Sequence, residues 1–272
     1  MTQVLEGPDA VPVLMYHSVS RVAEGPMRPL AVPQDLFREQ LGTLAEAGYQ
    51  LVGLSEALDV IEEDPGALVA AVTFDDGYLD FLRHALPVLT ELGARATLYL
   101  PVSHVGRSAS WLGLEAETLG PLLTWAQVHE VKRAGIEIGN HGLVHHPLDV
   151  LRPAQRDREI ADSQHRLAQE LGRPVRSFCY PHGYQARGVR AAVARTGHDN
   201  ACEIGYRLYR PGRDDRLAIP RLQPTPDHTG EDLLSLVEEG DLRLLPRVKR
   251  VARPGWRITR RVARDMFGKR LT

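Results

Sequence analysis

Short apolar runs alternate along this chain with longer stretches in which apolar residues return every three or four positions. The first pattern marks buried strands, and the second marks helices with one covered face. Residues 11–16 open the series as a strand. A helix follows at 33–48, with Leu36, Leu41, Leu44 and Ala45 as its apolar positions and Gly48 as its stop. A short strand at 49–52 leads to a helix at 55–61, which Ser55 is expected to cap with Glu56 in the first turn. The run 68–74 reads as a buried strand, 78–92 as a helix ended by Gly93, and 96–101 as another strand. Residues 102–122 break the rhythm: Gly106, Ser108, Ser110 and Gly113 mark a long loop of the kind that walls a site. Beyond it come a helix at 124–134 capped by Thr124, a strand at 136–138, and the longest helix, 153–171, closed by Gly172. A strand at 175–180, a helix at 185–196, strands at 198–202 and 217–222 and a helix at 230–239 complete the body. Strand and helix thus alternate about seven times with short connections, which specifies an α/β fold built on a parallel sheet, open or closed into a barrel.

Composition changes this picture little, and charge changes it at one end. The 272 residues, 43% hydrophobic and 25% charged, suit one large soluble domain with or without a tail. No apolar run approaches the roughly 20 residues of a membrane span. The start, Met1 to Glu6, has neither the basic segment nor the apolar stretch of a signal peptide, so a cytoplasmic location is expected. Cys179 and Cys202 read as two buried thiols rather than a disulfide framework or a Cys-based metal site. Residues 241–272 hold 11 Lys and Arg against 2 Asp, a balance of +9, which leaves −11 on the first 240 residues. The expected organisation is a loose N-terminus at 1–10, a folded body at 11–240 and a basic amphipathic tail at 241–272. In that tail Ile258, Val262 and Met266 form a helical stripe among arginines. Such a helix either packs on the body or lies on an anionic membrane, placing the protein peripherally at the inner membrane face. Nucleic acid is not an expected partner, because the acidic body opposes it.

The chemistry-bearing residues lie just after strands. Asp75-Asp76-Gly77 ends the 68–74 strand. Neighbouring side chains on a regular strand point to opposite faces, but at a strand end relaxed by Gly77 both carboxylates can converge on one cavity. Convergent carboxylates repel unless a cation or a shared proton compensates them; the bland alternative is an Asx turn with two solvated acids. His141 and His145 follow the strand at 136–138, and imidazoles four apart on a helical turn can share one metal ion. With Asp76 they make a two-His, one-carboxylate set that keeps a coordination position open. His17 and Tyr180 also fall after strands, and in α/β barrels those carboxyl ends form the active-site face.

These segments resemble the polysaccharide deacetylases of the NodB-homology type, carbohydrate esterase family 4. Thr73-Phe74-Asp75-Asp76-Gly77 matches that family's first motif in full. His141 to His145 matches the two histidines of the second, with Gly142 where Ser or Thr is usual and His146 where Pro is usual. Phe178-Cys179-Tyr180-Pro181-His182-Gly183 is similar to the third but lacks its arginine. Pro12 to His17 looks like the start of the branch that deacetylates poly-N-acetylglucosamine, and no fourth or fifth motif is recognisable. The resemblance implies an irregular (β/α) barrel of about seven units and a metal-dependent hydrolase that removes an N-acetyl group from an amino-sugar substrate. It implies one divalent metal, Zn2+ first, with Co2+, Ni2+ or Fe2+ as further candidates, on Asp76, His141 and His145. Asp75 is then the base, His17 the acid (His228 second), and the backbone N–H of Tyr180 an oxyanion donor. Arg221 is a candidate to neutralise Asp75 in place of the absent motif arginine.

Trp111, Tyr180, Pro181 and His182 are candidate substrate contacts; Trp111 either stacks on a sugar ring or fills its own loop. His146 is an alternative to His145 as ligand, and His84, His129, His165 and His198 have no motif context. Two further functions share the motifs: a hydrolase of another C–N bond (deformylase or imide-opening), and a non-catalytic carbohydrate-binding relative. Retention of Asp75, which is not needed to hold the metal, argues against the second.

Overall fold

The protein is described by a computed structural model over residues 10–21 and 23–239; the expected loose terminus, apart from Ala10, and the basic tail lie outside the described residues. In chain order the strands are β1 (Val13–Tyr16), β2 (Ser18–Val19), β3 (Ala31–Val32), β4 (Gln50–Val52), β5 (Val69–Phe74), β6 (Thr97–Leu100), β7 (Glu137–Asn140), β8 (Ser177–Cys179) and β9 (Asn200–Cys202). The helices between and after them are α1 (Gln34–Glu46), α2 (Leu54–Glu63), α3 (Leu86–Glu91), α4 (Trp125–Arg133), α5 (Pro153–Leu171), α6 (Arg187–Arg195) and α7 (Gly230–Glu239). Among the described residues, no helix is long and apolar enough to cross a membrane.

The main sheet is parallel throughout, in the order β1-β5-β6-β7-β8-β9, with β4 sharing the β6 edge of β5. Residues 217–222, expected as a strand, form only single parallel bridges instead. Leu222 pairs with Leu14 of β1, and Ile219 with Cys202 of β9. That segment brings the sheet back on itself, so the barrel closes through one irregular unit.

Alternation along β5 divides the protein into layers. Ala70, Val72 and Phe74 face outward into the core beneath the helices, with Phe37 and Leu41 of α1, Leu167 of α5 and Leu233 of α7. Val69 and Ala71 face the interior with Val13, Tyr99, Cys179, Cys202 and Ile219. Leu54, Ala57 and Leu58 of α2 join this inner cluster, while Leu54 N–H donates to Thr97 Oγ1 at 2.7 Å and Asn200 Nδ2 donates to Ser55 Oγ at 3.0 Å. Because Thr97 and Asn200 begin their strands, α2 plugs the amino end of the barrel. The carboxyl end remains for the site.

Three local expectations change. Ser55 does not cap α2: Gly53 precedes the helix, and the Ser55 hydroxyl donates to Glu137 at the foot of β7. The helix expected at 78–92 starts later, as a wide π-type turn at Phe81–Ala85 running into α3. Pro87 lacks an N–H and its ring crowds the carbonyl four residues back, which a widened turn relieves. Several strands are shorter than their apolar runs, because the barrel pairs only their central residues. Thr124 does cap α4 through a capping box with Gln127, and α5 ends at Gly172 with φ +77°, as expected.

Candidate metal centre and active site

Alternation along β5 also decides which way its terminal acids point. Asp75 continues the inward phase of Val69, Ala71 and Thr73, and its N–H still donates to Tyr16 C=O at 3.0 Å. The chain then turns sharply: Asp76 has φ +71° and Gly77 φ +72°. A side chain at Gly77 would crowd Leu100 Cδ2 at 2.5 Å as well as strain the left-handed backbone, so glycine suits this turn beside β6. Asp76 is thereby swung to the carboxyl face while remaining buried.

Inside the barrel, Asp75 meets Arg221 from the closing segment. Arg221 Nη1 and Nη2 donate to Asp75 Oδ1 and Oδ2, each at 2.7 Å, and the guanidinium is fully buried. Its remaining donors reach Thr73 Oγ1 at 3.1 Å, Cys179 Sγ at 3.1 Å and Glu203 C=O at 3.2 Å. Burial alone would push the Asp75 carboxyl up, but the paired guanidinium outweighs it and holds the group well below the usual carboxylate range. Cys179 Sγ lies 3.5 Å from Asp75 Oδ1, a neighbour that sequence reasoning left as an apolar thiol. Both cysteines are buried and free. His17 Nε2 stands 3.9 Å from Asp75 Oδ2 on the solvent side of this pair.

His141 follows β7 directly and is fixed by its far nitrogen: Nδ1 donates to Cys179 C=O at 2.8 Å, which leaves Nε2 as the lone-pair nitrogen. Burial lowers its pKa to about 4 despite the facing carboxylates, so the imidazole is neutral at pH 7. His145 is not on the same helical turn, as its spacing suggested. Residues 141–146 form an irregular loop in which Gly142 has φ +79° and His145 φ +59°. The two rings nevertheless converge, with Nε2 atoms 3.2 Å apart and Asp76 Oδ1 at 3.5 Å from His141 Nε2 and 3.3 Å from His145 Nε2.

These three atoms fit a metal ion. The edge of a tetrahedron with ligand bonds of about 2.0–2.1 Å is about 3.3 Å, matching all three separations. Asp76 Oδ1 is buried and makes no hydrogen bond among the described residues. A buried polar atom left in that state implies a partner. His146 does not compete: its Nδ1 is bound to Glu159 of α5.

Of the other candidates, Trp111 stacks on His145 with ring centroids 4.4 Å apart and planes at 26°. His182, in a left-handed turn, sets its ring 4.6 Å from His145, and Tyr184 stacks behind it at 6.1 Å. Pro181 is buried against Gly142. Tyr180 is a correction on both counts. Its backbone N–H is spent on Cys202 C=O at 3.1 Å in the β8–β9 ladder, so it is not an oxyanion donor. Its ring is buried, and its hydroxyl donates to Leu217 C=O at 2.7 Å rather than facing the site. His228 closes its own turn, where Nδ1 accepts from Thr225 N–H at 3.1 Å. His104 was missed by the sequence reading; it packs edge-on against Trp111 at 4.8 Å and has no motif around it.

Known proteins share this chain's sequence pattern and fold. The family model described as polysaccharide deacetylase matches residues 62–201. YxkH of Bacillus subtilis (strain 168), named as a polysaccharide deacetylase, is 28% identical over 239 residues, covering 86% of this chain and 78% of its own. IcaB from Ammonifex degensii superposes with a TM-score of 0.71 at 25% identity, over 85% of this chain and 98% of that one. The Streptococcus pyogenes deacetylase PplD, solved in complex with acetate, has the same fold, with a TM-score of 0.71 at 24% identity over 84% of this chain and 98% of that one. The chain belongs to the polysaccharide deacetylase family.

Proposed function

We propose that this hydrolase removes an N-acetyl group from an amino-sugar substrate, using one divalent metal held by Asp76, His141 and His145. The observation that carries the reading is the triangle of Asp76 Oδ1 and the two Nε2 atoms, with separations of 3.2, 3.3 and 3.5 Å, beside a second carboxylate that takes no part in it. Two imidazole nitrogens and a carboxylate at these separations suit Zn2+ first, with Co2+, Ni2+ and Fe2+ able to use the same donors. The ion, when bound, supplies Lewis acidity that polarises an acyl carbonyl and loosens a proton of a water.

The protein's own groups then divide the work. Arg221 holds both oxygens of Asp75 and favours its ionised form, and Asp75 accepts the proton of the attacking water. The water oxygen bonds to the acyl carbon, and the C–N bond breaks. His17 donates the proton with which the amine leaves, from a position 3.9 Å from Asp75. Trp111 and His182, half-buried and each packed on the His145 ring, are the surfaces a sugar ring meets. The competing reading, cleavage of another C–N bond, uses the same groups and differs in the acid released.

The test measures acetate and formate release from the zinc-loaded protein across N-acetylglucosamine polymers, lipid-linked N-acetyl amino sugars, simple glycosides and N-formyl analogues. Acetate from at least one amino sugar is expected. Formate release without acetate would replace this reading by the deformylase one, and metal binding without turnover on any amide would leave a carbohydrate-binding relative.

A further inference from the structure

The histidine loop is held from behind by a buried acid that no motif contains. Glu159 lies in α5 and is 7% exposed. Its Oε2 accepts the backbone N–H groups of Leu143 and Val144, each at 3.1 Å, and its Oε1 is bound by His146 Nδ1. These are the two residues between Gly142 and His145, where the chain makes its positive-φ turns at +79° and +59°. A non-glycine residue in the left-handed region is strained, so His145 holds that conformation only where its surroundings over-determine it.

Those surroundings are complete around the loop. Asn140 Oδ1 takes Gly142 N–H at 2.8 Å, and the amides of Val102 and Ser103 donate to the carbonyls of Gly142 and Leu143 at 3.1 and 2.8 Å. Carbonyls are thus fixed from the β6 side and amides from the α5 side. Glu159 is the sole partner shown for the Leu143 and Val144 amides among the described residues.

We infer that Glu159 is a positioning residue for the metal centre: by accepting the Leu143 and Val144 amides and binding His146, it sets the turn that aims His145 Nε2 at Asp76. It acts through the loop and touches neither substrate nor metal. It also explains why His146, adjacent to the candidate ligand, is turned away from the site. The inference rests on His141 and His145 being metal ligands, and the test separates the two claims.

The experiment titrates full-length metal-free protein with Co2+ alone, reading affinity from its ligand-field spectrum, and records the thermal midpoint of each metal-free variant. Glu159→Gln keeps an acceptor oxygen for the two amides and offers its NH2 to His146, so its affinity should stay within about threefold of wild type. Glu159→Leu keeps the bulk and removes the acceptor. It should weaken Co2+ binding by about 10–100-fold, the usual range for outer partners of metal ligands, and should alter the spectrum. Glu159→Asp retains charge with a shorter reach and keeps the question open to measurement if the leucine variant does not fold; its expected loss is about three- to tenfold. A folded leucine or aspartate variant with wild-type affinity would overturn the inference alone, as would a glutamine variant as weak as the leucine one. Wild-type protein showing no Co2+ site would overturn the metal assignment and this inference together.

Discussion

The carboxylate corner and the histidine loop meet at three atoms yet are held by opposite means. Asp75 sits on the regular inward phase of a central strand and is locked by a buried bidentate ion pair across the barrel. His145 sits on an irregular loop, in a strained backbone conformation, and is held by neutral and charge-assisted bonds to backbone amides. The corner inherits its geometry from the sheet; the loop receives it from α5, Asn140 and the 102–103 segment. Changes at the corner should therefore act on the whole barrel, and changes at the loop mainly on the metal.

The largest expected effect breaks the corner. Arg221→Met removes the partner of a buried carboxylate and should cost about 3–5 kcal/mol of stability, read as a fall in the denaturant midpoint. A variant as stable as wild type would show that Asp75 is compensated some other way.

Next comes the base of the loop, probed by pH. Asn140 Nδ2 donates to His198 Nε2 at 3.3 Å, and the same amide group takes Gly142 N–H on its oxygen. Burial lowers the His198 pKa to about 4, against about 6.5 in an unfolded chain. The unfolded state therefore binds the extra proton first, and the contribution of His198 is intact above about pH 6.5 and lost as pH falls toward 4. The loss should be on the order of 2–3 kcal/mol. Asp80 works in the opposite direction: burial raises its pKa to about 6, so acidification below that value favours the folded state. Comparing wild type with His198→Gln isolates the histidine. The stability gap between them should narrow as pH falls from 7 to about 4.5, whereas a gap independent of pH would remove His198 from the account.

Gly142→Ala sharpens the comparison. A Cβ there meets Pro181 Cγ at 3.5 Å, an ordinary contact, so only the positive φ is penalised. About 1–2 kcal/mol of destabilisation is expected, with metal affinity reduced more than at any corner site of equal cost. The smallest effect belongs to the wall: Trp111→Ala should raise KM about three- to tenfold, equivalent to about 1 kcal/mol of aromatic contact.

Much of this was legible in the sequence, for identifiable reasons. The alternating pattern specified a parallel α/β fold, and α5 and α7 fall at their expected bounds because Gly172 and the 230–239 stripe are unambiguous. The clustering of Asp76, His141 and His145 was legible because their residue types converge on one chemistry. The reasoning behind it was only half right: the His141–His145 spacing suggested a helical turn, and the structure reaches the same convergence through a strained loop. Arg221 stood out only because a motif arginine was missing, and its contact spans 146 residues. Tyr180 was misread because a strand-end residue still has its N–H in the ladder. Glu159 left no signal, since an acid within a 19-residue amphipathic helix ordinarily reads as solvated surface.

The central claim is the division of roles between two adjacent carboxylates, and metal content tests it most directly. Zinc per chain is measured alongside acetate release for wild type, Asp76→Asn and Asp75→Asn, each checked for folding. Wild type should hold about one ion, and Asp76→Asn should lose metal and activity together. Asp75→Asn should keep the ion while its turnover falls by about 10² or more. An Asp75→Asn protein that loses the metal, or an Asp76→Asn protein that keeps it, would contradict the assignment.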